Sequence, residues 1–226
     1  MDLSRLEKIL DKKIINKIKN TTVLVIGIGG VGSYAIEALA RSGIGTLIIV
    51  DHDIVESSNI NRQLIALNST IGFKKVDVMK QRILDINPNC KVIALDLFID
   101  KDTIKEILKY QIDYVVDAID TITSKKLIIK ECLKNNIDFI SAMGTGNRFD
   151  PTKLTITDIR KTSYDPIAKI IRKMVKDERI KDKIMVVSSN EKPVKLNDRI
   201  PGSNSFVPST AGLLCASYII NQIKKS

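Results

Sequence analysis

The chain has 226 residues, 44% of them hydrophobic, enough for one well-filled core and a small appendage. Its 36 basic and 26 acidic residues leave a net charge of +10, which permits a polyanionic partner such as RNA, although composition alone favours the plainer reading of a Lys-rich, solvated surface. No stretch reaches the roughly 18–20 uninterrupted apolar residues of a membrane helix; Phe206–Ile220 comes closest and is interrupted by Pro208, Ser209 and Thr210. The opening MDLSRLEKIL lacks the apolar centre of a signal peptide, and Cys90, Cys132 and Cys215 form no C-x-x-C pair. A cytoplasmic protein with no membrane segment, disulfide framework or zinc site is expected.

Residues 3–19 set Leu6, Ile9, Leu10, Ile14 and Ile18 at helical spacing, so an amphipathic arm precedes the first strand. The apolar run Val23–Ile26 stops at Gly27 and is followed by a helical pattern over Ser33–Ser42, then by a strand, Thr46–Val50, ending at Asp51. A helix near Lys74–Ile86 is stopped by Asn87-Pro88. Strand Lys91–Leu95, helix Thr103–Tyr110, strand Tyr114–Ala118, helix Ser124–Asn135 and strand Asp138–Ser141 continue the alternation. From Gly144 the pattern changes: Lys153–Ile159 alternates like an antiparallel strand, Pro166–Val175 reads as a basic amphipathic helix, and Ile184–Val187 as a short strand. A loop over 188–204 leads to a last helix from about Pro208. The expected fold is α/β, a Rossmann-like, doubly wound, mostly parallel sheet with a C-terminal antiparallel and helical elaboration. One domain over 1–226 is expected, with an arm (1–20), a core (21–143) and the elaboration (144–226).

Gly27, Gly29 and Gly32 have G-x-G-x-x-G spacing, with Gly30 as an extra glycine. Strand, glycine turn and helix bring free backbone N–H groups and the positive end of a helix dipole to one point, where a diphosphate or triphosphate can sit. Asp51 stands where an acid can hold ribose hydroxyls. The glycines alone do not choose among NAD(P), FAD and ATP. The next stretch collects Asp51, Asp53, Asn59, Asn61, Arg62 and Gln63, followed by Gly72-Phe73-Lys74-Lys75, whereas a dehydrogenase needs one acid there and little more. Arg62 and Lys75 together would neutralise a phosphate whose charge grows during attack at phosphorus. Asp120, in DAIDTITSK, is placed to hold Mg²⁺ on the outer phosphates. Singly, each has a plainer explanation: Asp53 or Asp120 as helix caps, Arg62 in a surface ion pair. The cluster favours phosphate chemistry.

GIGGVGS, DHDIVESSNINRQ, the Gly72/Lys75 pair and DAIDTITSK, in this order and spacing, resemble the E1-like (ThiF/MoeB/HesA) superfamily of ATP-dependent adenylating enzymes. The resemblance implies that Asp51 binds ribose, that Arg62 and Lys75 act on the α-phosphate, and that Asp120 is the magnesium-linked aspartate. Asp53, Asn59 and Gln63 join the glycines as nucleotide-binding candidates. It also implies an N-terminal arginine, matched here by Arg5, that reaches the ATP of a partner subunit in a homodimer; the plainer reading is an arm folded back onto its own sheet with Arg5 exposed to solvent. Members with a sulfur-transfer step carry paired C-x-x-C motifs and a crossover cysteine; no cysteine lies between Cys132 and Cys215 here.

SYDPIAKIIRKMVK, IMVVSSNEKPV, GSNSFVPSTAG and SGIGTLIIVDHD are similar to a narrower branch, the tRNA threonylcarbamoyladenosine dehydratases. That implies ATP-dependent adenylation of the carboxylate of threonylcarbamoyladenosine 37 in tRNA, then internal attack that expels AMP, with a sulfurtransferase as a possible further partner. The alternative is E1-like adenylation of the C-terminal glycine of a small ubiquitin-like sulfur carrier; a non-catalytic nucleotide-binding module is a third reading. Arg160–Lys183 holds nine basic against four acidic side chains, a net of +5. Arg160, Lys169, Arg172, Lys173 and Lys176 are therefore tRNA-binding candidates, against the plainer reading of a solvated helix face. His52, the one histidine, is given no role.

Overall fold

The computed structural model describes residues 1–197 and 200–226; of the loop expected over 188–204, residues 198–199 lie outside the described residues. In chain order the elements are α1 (Lys12–Asn20), β1 (Thr22–Ile26), α2 (Gly32–Arg41), β2 (Thr46–Asp51), α3 (Lys75–Ile86), β3 (Lys91–Asp96) and α4 (Thr103–Ile107). β4 (Tyr114–Asp117), α5 (Ile122–Lys134), β5 (Asp138–Ala142), β6 (Leu154–Asp158), α6 (Pro166–Asp177), β7 (Met185–Ser189) and α7 (Phe206–Lys225) follow. The strands form one sheet of order β3-β2-β1-β4-β5-β7-β6, parallel except for β6, which runs antiparallel to β7 at the edge. The α/β, mostly parallel architecture expected from the alternation of strands and helices is thus present.

The chain moves outward from β1 to β2 and β3, then returns to lay β4 on the other side of β1. This reversal opens a crevice at the carboxyl ends of β1 and β4, where ligands enter such sheets. Because the sheet is covered on both faces, its central strands are apolar throughout, and alternate residues serve different layers. Val23, Val25, Leu47 and Ile49 pack with α2, α3 and α7; Leu24, Ile26, Ile48 and Val50 pack with α4, α5 and α6.

The C-terminal segment completes this sheet, because β7 pairs in parallel with β5 and carries β6 beyond it. α7 is 20 residues long and by length and composition could cross a membrane. Here Val207, Ala211, Cys215, Ile219 and Ile223 are buried against the first layer. It lies so close to α2 that a Cβ at Gly212 would stand 2.2 Å from the Val31 carbonyl oxygen, so only glycine fits.

The N-terminal arm departs from expectation. It is a 3₁₀ turn, Leu6–Lys8, then α1, which starts where the Asp11 side chain accepts from the Ile14 N–H. Nor is it loose: Ile15 and Ile18 are buried, and Leu3 packs on Gly43 in the turn before β2. α4 is also shorter than the helix expected over 103–110.

Candidate active site

β1 ends at Ile26, and Gly27 turns the chain with φ +91, a conformation natural to glycine. A Cβ there would meet the Ala118 carbonyl oxygen at 2.9 Å, so the glycine loop lies directly on the segment leaving β4. α2 opens at Gly32 with no side-chain cap; the Ser33 N–H donates to the Gly29 carbonyl, while those of Gly32 and Tyr34 have no partner among the described residues. A Cβ on Gly29 would meet nothing within 4 Å, whereas one on Gly30 would touch Pro208 and Arg62. The loop thus has one open side, bordered by Arg62 and the start of α7.

Asp51, at the end of β2, is buried and holds the loop. Its carboxylate accepts from the Ile28 N–H at 2.6 Å and from the Asp53 N–H at 2.9 Å. The Lys75 ammonium, only 6% exposed, lies 2.7 Å from Asp53 Oδ2 and 4.0 Å from Asp51 Oδ1. His52 Nε2 stands 3.4 Å from the other Asp53 oxygen, and its ring meets Phe98 edge to face at 5.0 Å. His52, Asp53, Ile54, Glu56, Asn59 and Lys75 line a cleft of about 320 Å³ beside the loop. The sequence candidates Asp51, Asp53, Asn59 and Lys75 are therefore brought together.

Arg62 lies on the other flank. Its Nη1 donates to the Ser58 carbonyl (2.7 Å) and to Asn61 Oδ1 (2.9 Å). The buried Asn59 side chain accepts from the Glu56 N–H and fixes this turn, and Gln63 donates its own N–H to the Asn59 carbonyl. Gln63 Oε1 is buried with no hydrogen-bond partner among the described residues. Asp120 follows β4, exposed, with no hydrogen bond or ion pair among the described residues. Open space over Gly29 fits a polyphosphate and the unpartnered Asp120 carboxylate its magnesium ion, while the unpaired Gln63 oxygen, an acceptor, fits a hydroxyl or amino donor of the nucleotide.

Arg5 is exposed on the arm, two residues from Leu3, which packs on Gly43 in the turn before β2, at the amino edge of the sheet and not at the carboxyl edge carrying the glycine loop. Of the basic candidates, Lys169, Lys173 and Lys176 are exposed on α6 with no hydrogen bond or ion pair among the described residues. Arg160 instead clasps Asp158 and the Ile180 and Asp182 carbonyls, and Arg172 bonds Thr162. These two arginines tie loops together locally.

Three sets of supporting residues escaped the sequence reading. Ser33 Oγ donates to the Gly29 carbonyl and accepts from the Leu64 N–H, joining the glycine loop to the Arg62 turn. Asp117, ending β4, pairs with the fully buried Lys125. Arg148 is buried beside Asp165 and donates to the Gly144 and Tyr164 carbonyls, binding the exit of β5 to the start of α6. The available signal was weak: an acid ending an apolar strand, as Asp51 does, with a lysine eight residues on. All three cysteines are buried, and burial pushes their thiols up, to about 11 for Cys90 and about 12 for Cys132 and Cys215. None has the exposure or the lowered pKa of a reactive thiol.

The ThiF family model matches residues 3–220 of this chain. A Bacillus subtilis tRNA threonylcarbamoyladenosine dehydratase is 46% identical, over 98% of this chain and 94% of its own. The Escherichia coli protein of the same description is 35% identical over 92% of this chain and 76% of its own. A crystal structure of the E. coli enzyme, TcdA, in complex with AMP has a TM-score of 0.93 and 34% identity, covering 98% of this chain and 93% of that one. The same enzyme in complex with ATP also superposes at 0.93. With its glycine loop, Arg62 turn and Asp120 set around one crevice, the chain belongs to the ThiF family, in the branch of the tRNA threonylcarbamoyladenosine dehydratases.

Proposed function

We propose that this chain cyclises N6-threonylcarbamoyladenosine at position 37 of tRNA, using ATP and Mg²⁺, as a cytoplasmic homodimer whose whole length is one ATP-binding domain. The substrate carboxylate attacks the α-phosphorus of ATP and expels pyrophosphate. The side chain's own nitrogen or carbonyl oxygen then attacks the activated carbonyl and expels AMP. The product has lost one water, which the cleavage of ATP to AMP and pyrophosphate takes up.

The observation that carries this reading is the convergence of Arg62, Lys75 and an open glycine loop on the β1/β4 crevice. In this role the first-turn N–H groups of α2 hold phosphate oxygens, and Asp51, already fixed by two N–H bonds, offers its remaining lone pairs to the ribose. Lys75 exchanges Asp53 for the α-phosphate, and Arg62 turns its guanidinium from the Ser58 carbonyl to the same group, answering the charge that builds at phosphorus. Asn59 and Gln63 orient the nucleotide. Asp120 would hold Mg²⁺, whose charge would screen the departing pyrophosphate. Arg5 is exposed on an arm docked at the opposite, amino edge of its own sheet, so its role would be at the partner subunit's phosphates. Internal cyclisation needs no enzyme thiol, in keeping with three buried cysteines; a sulfurtransferase, if it associates, acts outside this step.

The test is incubation of the protein with Mg-ATP and threonylcarbamoyl-modified tRNA, followed by mass analysis of the nucleosides. A nucleoside lighter by one water, with one AMP per cyclisation, is expected. AMP formation triggered by a peptide ending in Gly-Gly and not by tRNA would replace this reading with carrier-protein adenylation.

A further inference from the structure

Of the five phenylalanines only Phe139 lies in the core, while Phe73, Phe98, Phe149 and Phe206 are each at least 37% exposed. Their placement is not random. Phe98 follows β3, Phe149 follows β5, Phe73 precedes α3 and Phe206 opens α7. In a parallel sheet the segments leaving strands and those entering the next helices share the carboxyl edge. The exposed phenylalanines therefore ring the edge that bears the glycine loop, while Ile, Val and Leu fill the core.

Two of them form a built pair. The Phe149 and Phe206 rings meet edge to face, with centroids 4.9 Å apart and planes at 83°. Both backbones are held. The Glu191 carboxylate accepts from the Phe149 N–H (3.0 Å) and the Asp150 N–H (2.9 Å). The Asn204 side chain bridges the two segments, donating to the Arg148 carbonyl at 2.7 Å and accepting from the Phe206 and Val207 N–H groups. Phe149 is 70% exposed, so a ring face is open to solvent. The pair also borders the crevice: Pro208, two residues beyond Phe206, packs on Gly30, and Ser203 accepts from Asn61 beside Arg62.

We propose that the Phe149–Phe206 pair is a stacking platform for an unpaired base of the RNA substrate; the inference rests on tRNA being that substrate. An exposed, immobilised aromatic face with cations around it suits a base whose π-face and phosphates must be met together, and single-stranded RNA is recognised by such stacking. The cations are present: Lys192 and Lys195 are exposed on the loop that supplies Glu191 and Asn204. Arg148, next to Phe149, donates to the Tyr164 carbonyl and so joins the platform to the start of the basic helix α6.

Phe149→Leu keeps apolar bulk without a π-face, and Phe149→Trp keeps the face. The tRNA KM of Phe149→Leu and Phe149→Ala should rise on the order of tenfold, as for a lost base stack, while Phe149→Trp stays close to wild type. ATP affinity, measured with a fluorescent ATP analogue, and the oligomeric mass should be unchanged in all three. A Phe149→Leu enzyme with wild-type tRNA KM would overturn the platform, as would a loss that follows oligomeric mass, which would make this face a contact between copies. If the wild-type protein does not convert modified tRNA, the substrate reading fails and the platform with it. If it does, and Phe149→Leu is unaffected, only the platform fails.

Discussion

Lys125 Nζ lies 2.7 Å from Asp117 Oδ2, and neither side chain is exposed to solvent. Lys125 also donates to Ser141 Oγ and the Ala142 carbonyl, while Asp117 accepts from the Ile119 N–H. The pair therefore ties the ends of β4 and β5 to α5 just below the segment on which Gly27 rests. Lys125→Met leaves a buried carboxylate without its counter-charge, and a loss of about 3–5 kcal/mol is expected. Thermal melting checks this. Adding Asp117→Asn to the same protein should recover much of the loss, because the uncompensated charge is then gone.

Arg62→Ala and Lys75→Ala should each lower kcat by on the order of 10²–10³-fold while changing ATP affinity little, the signature of charge stabilisation confined to the transition state. Steady-state turnover beside equilibrium ATP binding separates the two effects. Wild-type kcat in either variant would remove that residue from the chemistry.

Cys132→Ala and Cys215→Ala should keep most activity at temperatures where they remain folded, since each removes only a small buried group. With burial raising the thiols to about 11–12, the thiolate is scarce at pH 8, and alkylation there should proceed only as the protein unfolds. Rapid labelling of native protein, or a covalent adduct trapped at Cys215 during turnover, would contradict this.

Lys169→Glu, Lys173→Glu and Lys176→Glu, combined, should raise the tRNA KM and flatten its dependence on salt, because exposed lysines act by neutralising phosphates. ATP binding should stay constant. By contrast Arg172→Ala, which frees Thr162 from its bond, should show more in melting temperature than in the salt slope.

Arg5→Ala and Asp120→Ala proteins, each inactive alone, should regain activity once their subunits exchange, because a mixed dimer holds one site with Asp120 intact and a donated Arg5. Native mass spectrometry verifies that mixed dimers form. Mixed dimers without activity would show that Arg5 does not act across an interface.

The strand–glycine–helix order, the length of most elements and the cluster following β2 were legible in the sequence, because each depends on local chemistry. Val23–Ile26 must stop at Gly27, Asn87-Pro88 must end α3, and an acid after an apolar strand stands at its carboxyl edge. What tertiary structure alone decided involves residues far apart in the chain. Asp51 reaches back to the Ile28 N–H, Phe149 meets Phe206, and β7 enters beside β5 before β6. The basic segment carries a net positive charge, yet Arg160 and Arg172 are consumed by Asp158 and Thr162, while Lys169, Lys173 and Lys176 have no partner among the described residues. Composition counts charges, and only the packing of α6 against its loops determines which of them reach solvent. For the same reason the arm, amphipathic by its spacing, breaks at Asp11 and docks: burial of Leu3, Ile15 and Ile18 outweighs helix continuity.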